Sequence, residues 1–96
     1  MRSWEVRRVL QTGRRLYGRR VVVLLAPGSG DSAVIAARRI GGAVERNRAR
    51  RLLRAALREV RWQVDETDDV VLVARSDIKG CGARDLVAEM TELLRV

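Results

Sequence analysis

Two kinds of hydrophobic pattern alternate along this chain. Val21-Val22-Val23-Leu24-Leu25 and Val70-Val71-Leu72-Val73-Ala74 are continuous apolar runs rich in β-branched residues, and they predict strands buried on both faces. Elsewhere apolar residues recur every three or four positions, the helical period. That spacing predicts a short first helix from Ser3 to Gln11, with Val6, Val9 and Leu10 on one face, Ser3 as N-cap and Gly13 as terminator. Arg14 to Tyr17 begins a strand, and Gly18 marks a turn or bulge. Pro27-Gly28-Ser29-Gly30-Asp31 is a turn cluster, so Ser32 to Ala37 is predicted to return as a hairpin strand. A long helix follows from Ala43 to Val60, entered through Gly41 and Gly42. Gln63 to Asp69 reads as a flexible polar loop. The final helix, Ala83 to Leu94, turns Leu86, Val87, Met90, Leu93 and Leu94 to the core.

The order helix, strands, helix, strand, helix predicts an α+β fold with helices packed on one sheet. Ninety-six residues, 47% of them apolar, suit one domain spanning 1–96. There is no apolar run of membrane-spanning length and no apolar N-terminal stretch of the secretory kind. Cys81 has no second cysteine to pair with, so the fold needs no oxidising compartment. A cytoplasmic protein is the expectation.

Charge changes the picture more than composition does. The net charge is +8, and the first 61 residues hold 16 of the 20 basic groups but only 4 of the 12 acidic ones. On a wheel of the long helix, Arg46, Arg50, Arg61, Arg54, Asn47, Arg58 and Arg51 fall within one arc of about 140°. Ala49, Leu52, Leu53, Ala56, Leu57 and Val60 are read as the opposed, core-facing stripe, and Arg48 as the far flank of the basic arc. A solvated helix face ordinarily interleaves signs to gain from pairs four residues apart. Here only Glu45 and Glu59 interrupt, and every base on the helix is arginine, which forks onto phosphates and stacks on bases. Mutual repulsion makes such a surface poor for stability and good for a polyanion. Charge alone leaves RNA and DNA both open.

Candidate protein chemistry is sparse. With no histidine there is no Ser–His or Cys–His pair and no histidine-ligated metal. Cys81, between Gly80 and Gly82, reads as a turn residue. The glycine cluster at 27–31 lacks the lysine and following helix of a phosphate loop. Asp65, Glu66, Asp68 and Asp69 lack calcium-loop spacing.

The run Ala43-Val44-Glu45-Arg46-Asn47-Arg48-Ala49-Arg50-Arg51-Leu52-Leu53-Arg54, followed by Arg58, closely resembles the signature of the bacterial ribonuclease P protein component. Upstream, the strand Val34-Ile35-Ala36-Ala37, the basic pair Arg38-Arg39 and the turn Ile40-Gly41-Gly42 match the same setting without gaps. The resemblance implies the order αβββαβα, a four-stranded sheet and a left-handed strand–helix–strand crossover, where pattern alone predicts the common right-handed one. It implies an accessory subunit of a tRNA 5′-maturation endoribonuclease, a hydrolase whose catalytic centre lies in a partner RNA with its magnesium ions. The expected partners are ribonuclease P RNA and precursor tRNA. Neither membrane nor DNA is expected, and the protein alone is expected to be a monomer without a bound cofactor.

Carried over by position, Arg46, Asn47, Arg48, Arg50, Arg51, Arg54 and Arg58, with Arg38 and Arg39, form the implied RNA-binding set. Asn47 also has an amide suited to fixing local geometry. The implied cleft for the precursor's 5′ leader is assigned to Val6, Leu10, Tyr17, Val21 and Val23. Family members present aromatic residues there, whereas this chain has no Phe and places Val6 and Leu10 at the matching helix positions. A general RNA- or DNA-binding module, or a basic amphipathic helix on a membrane, remain the alternative readings of the same charge.

Overall fold

A computed structural model describes residues 1–95. Helix α1 (Ser3–Thr12) leads into strands β1 (Arg14–Tyr17), β2 (Val21–Pro27) and β3 (Ser32–Ile35), then helix α2 (Ala43–Val60), strand β4 (Asp68–Ala74) and helix α3 (Ala83–Leu94). Short 3-10 turns at Arg38–Ile40, Arg61–Gln63 and Ser76–Ile78 join them. The predicted order αβββαβα is therefore present.

The strands lie in the order β1-β2-β4-β3. β2 is antiparallel to both β1 and β4, and β3 is parallel to β4. The predicted β2–β3 hairpin is thus not formed, because β4 inserts between the two strands. The longest apolar runs, β2 and β4, occupy the centre, where both sheet faces are covered, and four-residue β3 takes an edge.

The turn at 28–31 must therefore pass over the start of β4, and Asp69 holds it there. This carboxylate is 1% exposed. Its Oδ1 accepts from the backbone N–H of Ser29 at 3.1 Å and of Asp31 at 2.9 Å, while Arg8 donates to Oδ2 at 2.6 Å. Gly28 lies so close that a Cβ there would stand 2.1 Å from the carboxylate. Asp68 and Asp69, predicted in a flexible loop, instead begin β4, and Asp69 is a buried anchor.

Side-chain alternation divides the core between the two sheet faces. Val21, Val23, Val70, Leu72 and Ala74 pack with α2 and α3, where Leu53, Val60, Leu86 and Met90 are fully buried. Leu24, Ala26 and Val71 face the other way and pack with Val9 of α1. The arrangement is three-layered, with α1 alone on its side.

The handedness of the β3–α2–β4 crossover follows from the chirality of one residue. Val70 donates its N–H to Asp31 on the β3 side, and its side chain points into the α2–α3 layer. For an L-residue, that combination puts β3 to the right of an upward-running β4 as seen from α2. The chain passes from β3 through the near layer to β4 on the left. The crossover is left-handed, against the usual preference.

Helix ends deviate slightly from the sequence reading. The N-cap of α1 is Arg2, not Ser3, and Glu5 accepts the Arg2 backbone N–H at 3.0 Å. Glu45 likewise accepts from Gly42 at the start of α2, at 3.1 Å. Gly41, with φ of 145°, supplies the tight lead-in.

Candidate nucleic-acid interface

The arginine face of α2 is real but shifted around the helix. Asn47, Arg48, Arg51, Arg54 and Arg58 are exposed, whereas Arg46 and Arg50 are half-buried. The reason is Leu57, which is buried although it projects between Arg46 and Arg50 on the wheel. Leu52, assigned to the core stripe, is only half-buried. The outward arc thus centres on Arg51 and Arg58, with Val44 and Trp62 along the same azimuth.

Local bonds separate the arginines further. Arg50 donates to the Asn47 side-chain oxygen, so Asn47 orients a neighbouring guanidinium. Arg48 donates to the Cys81 carbonyl at 3.0 Å and ties α2 to the start of α3. Arg61, placed in the basic arc by the wheel, turns inward and donates to the carbonyls of Gly30 and Asp68 at 3.2 and 2.9 Å. Among the described residues, none of Arg46, Arg48, Arg50, Arg51, Arg54 and Arg58 is in an ion pair. Arg51, Arg54 and Arg58 therefore offer their donors to solvent from one rigid helix. Arg38 and Arg39 are also exposed, on the 3-10 turn leading to α2.

The cleft residues are corrected by strand register. Val21 and Val23 are 0% and 1% exposed beneath α2 and α3, on the face turned away from α1. Because side chains alternate, the neighbouring residue Val22 reaches the α1 face instead. It pairs across the strands with Tyr17 on one side and Val73 on the other, and Val73 pairs with Ile35. Tyr17, Val22, Val73 and Ile35 thus form one row across all four strands, with Val6 and Leu10 of α1 beside it. Val22, Val73 and Ile35 remain half-buried, and Tyr17 is 62% exposed. Val6, Leu10 and Tyr17 lie on this same sheet face, and the row adds Val22, Val73 and Ile35 to them. Period-two alternation in β2 contained the signal, but the two-faced apolar run hid which parity faced α1.

Past the ends of β1 and β4 lies a depression of about 190 Å³ lined by Arg19, Arg39, Arg75, Ser76 and Asp77. Arg75 donates to the Gly18 carbonyl at 3.1 Å, and Arg19 pairs with Asp77 at 3.1 Å. Three guanidinium groups therefore line one depression, Arg19 from past β1, Arg75 from past β4 and Arg39 from the 3-10 turn that leads to α2. Arg19 and Arg75 are interface candidates without a motif to announce them.

The remaining chemistry-bearing groups are a thiol and a set of carboxylates. Burial raises the Cys81 thiol above its ordinary range, which leaves it protonated at neutral pH. Asp65 is held below the usual carboxylate range by the backbone and hydroxyl donors of Thr67. Among the described residues no group of three His, Cys, Asp or Glu side chains is placed to hold a metal ion, and no helix is long and apolar enough to cross a membrane.

Comparison with known proteins places this surface in context. The family model for ribonuclease P matches residues 1–96. The ribonuclease P protein component of Syntrophomonas wolfei is 42% identical over 79 residues, covering 79% of this chain and 66% of the relative. That of Chloroflexus aggregans is 36% identical over 98 residues, covering 98% and 73%. Among solved structures, the Staphylococcus aureus RNase P protein superposes with a TM-score of 0.82 at 17% identity, covering 99% of this chain and 90% of that one. The Thermotoga maritima RNase P protein gives 0.79 at 20% identity, covering 99% and 92%. The family model over the whole chain and relatives of this identity and coverage complete the assignment: this chain belongs to the ribonuclease P protein family.

Proposed function

We propose that this chain is the protein subunit of ribonuclease P, binding a catalytic RNA and the 5′ leader of precursor tRNA to assist removal of that leader. The observation that carries the reading is the arginine face of α2, free of ion pairs among the described residues, on a chain whose opposite sheet face keeps a partly exposed apolar row. Arg51, Arg54 and Arg58, with Arg38 and Arg39, neutralise phosphates of the partner RNA and release its counterions. The leader, a single strand, lies across the row Tyr17–Val22–Val73–Ile35, where the phenol ring offers a base a stacking surface. Arg19, Arg39 and Arg75, past the ends of β1 and β4, receive its phosphates.

In this reading the hydrolytic chemistry belongs to the RNA and its magnesium ions. The protein has no imidazole for acid–base work, and its lone thiol is buried and held protonated. Its contribution is positional: phosphate neutralisation brings two polyanions together, and the cleft favours a substrate that still carries its leader.

The test is discrimination between precursor and mature tRNA. With the protein present, the cognate ribonuclease P RNA should bind a leader-bearing precursor more tightly than mature tRNA, and the preference should shrink as the leader is trimmed. Equal enhancement of both substrates would remove the leader cleft from the account.

A further inference from the structure

Trp62 is 81% exposed, the most exposed large hydrophobic residue among those described, and it contributes to neither apolar core. A lone exposed aromatic means little by itself. Its position is what carries weight. Trp62 follows Arg58 by four residues, and the 3-10 turn Arg61–Gln63 continues directly from α2. It therefore extends the line of Arg51 and Arg58 on the outward face.

The backbone presenting the indole is held on both sides. Arg61 is tied to the carbonyls of Gly30 and Asp68, and Gln63 reaches the Thr91 hydroxyl at 3.4 Å. Val64 is buried. With its neighbours turned inward, Trp62 is directed outward from a fixed support, so little order has to be gained on binding. The indole is the largest side-chain π-face available, and the guanidinium groups beside it are free of ion pairs.

Resting on the proposed RNA-binding function, we infer that Trp62 is a stacking platform for an unpaired base of the RNA whose phosphates lie on Arg51, Arg54 and Arg58. It extends the RNA surface past the arginine signature to the end of α2. The occupant is an unpaired nucleotide because only a splayed base exposes its face to an indole, whereas a continuous duplex hides it. Glu59 and Glu66, which repel phosphate, lie close in sequence to the indole.

The experiment uses the full chain with Trp4→Phe, which leaves Trp62 as the sole tryptophan. Its fluorescence is followed during titration with the cognate ribonuclease P RNA, with short oligoadenylate and with a blunt RNA duplex. Saturable quenching by the first two, and little by the duplex, is expected. Trp62→Ala should weaken binding of the ribonuclease P RNA roughly tenfold, the lower-middle part of the range for one stacked base. Its salt slope should match the parent's, since no charge is lost, and Trp62→Phe should recover most of the affinity. Unchanged Trp62 emission while the RNA binds, equal quenching by the duplex, or a Trp62→Ala affinity within twofold of the parent would overturn the inference and leave the RNA-binding function standing. Quenching that follows protein concentration instead of RNA would also overturn it, in favour of a protein contact. If the parent chain fails to bind the RNA at all, the proposed function falls together with the platform.

Discussion

Replacing Asp69 with Ala tests the network that fixes α1 over the sheet. The substitution leaves the N–H groups of Ser29 and Asp31 without their acceptor and Arg8 without its counterion. Removing one partner of a fully buried pair costs about 3–5 kcal/mol. Arg8 is 34% exposed on its side of the pair, so water recovers part of its solvation and its share is reduced. Two deprived backbone donors at about 1 kcal/mol each, the low end for a turn near solvent, plus roughly 1 kcal/mol for the ion pair, give about 3 kcal/mol. For a domain of this size that lowers Tm by roughly 10–20 °C. Asp69→Asn keeps an oxygen for the two N–H groups and should lose about half as much. Arg8→Ala leaves the buried Asp69 carboxylate without its counterion and should cost about 2–3 kcal/mol, and a cycle with Asp69→Asn should show coupling of the two sites. Thermal melts followed by circular dichroism read all three. An Asp69→Ala melt within a few degrees of the parent would refute the anchoring role.

Arg51→Ala with Arg54→Ala should leave the melt within about 0.5 kcal/mol, since both side chains are exposed and unpaired. The same variant should weaken RNA binding and reduce its salt slope by about 2, one for each lost phosphate contact, as read by titrations at several salt concentrations. Tyr17→Ala should diminish the preference for leader-bearing tRNA by about 1–3 kcal/mol with an unchanged melt. Val23→Ala should do the reverse, costing about 2 kcal/mol of stability because that side chain is buried under α2 and α3. The Cys81 thiol, raised by burial, should react slowly with a thiol-specific disulfide reagent at neutral pH. Its rate should climb only at a pH above the ordinary thiol range, and rapid reaction at pH 7 would contradict its burial.

The elements themselves were legible because each rests on local pattern. The β-branched runs of β2 and β4 and the 3.6-residue period of α2 and α3 need no tertiary information. What the pattern could not supply was strand order. The turn at 27–31 is compatible with a hairpin, and only Asp69, more than thirty residues on, makes it span an inserted strand. Asp69 looked like one member of an acidic loop because its partners lie in other elements. The same limit governs the site. Arg51, Arg54 and Arg58 were readable from spacing alone, whereas Arg46 and Arg50 are drawn towards the core edge by Leu57. Val21 and Val23 are indistinguishable from Val22 in the sequence because a strand apolar on both faces carries no alternation to set its register. The left-handed crossover was available only through family resemblance, since general packing preferences favour the other hand.

The proposed function has the arginine face and the partly exposed sheet face serve a catalytic RNA acting on precursor tRNA. The most direct test is cleavage of a precursor tRNA by the cognate ribonuclease P RNA at low magnesium, with and without this protein. The account predicts that the protein restores cleavage at the mature 5′ end, and that Arg51→Ala with Arg54→Ala forfeits much of that gain. Tight binding to the RNA with no restored cleavage would contradict it and leave a general RNA-binding domain.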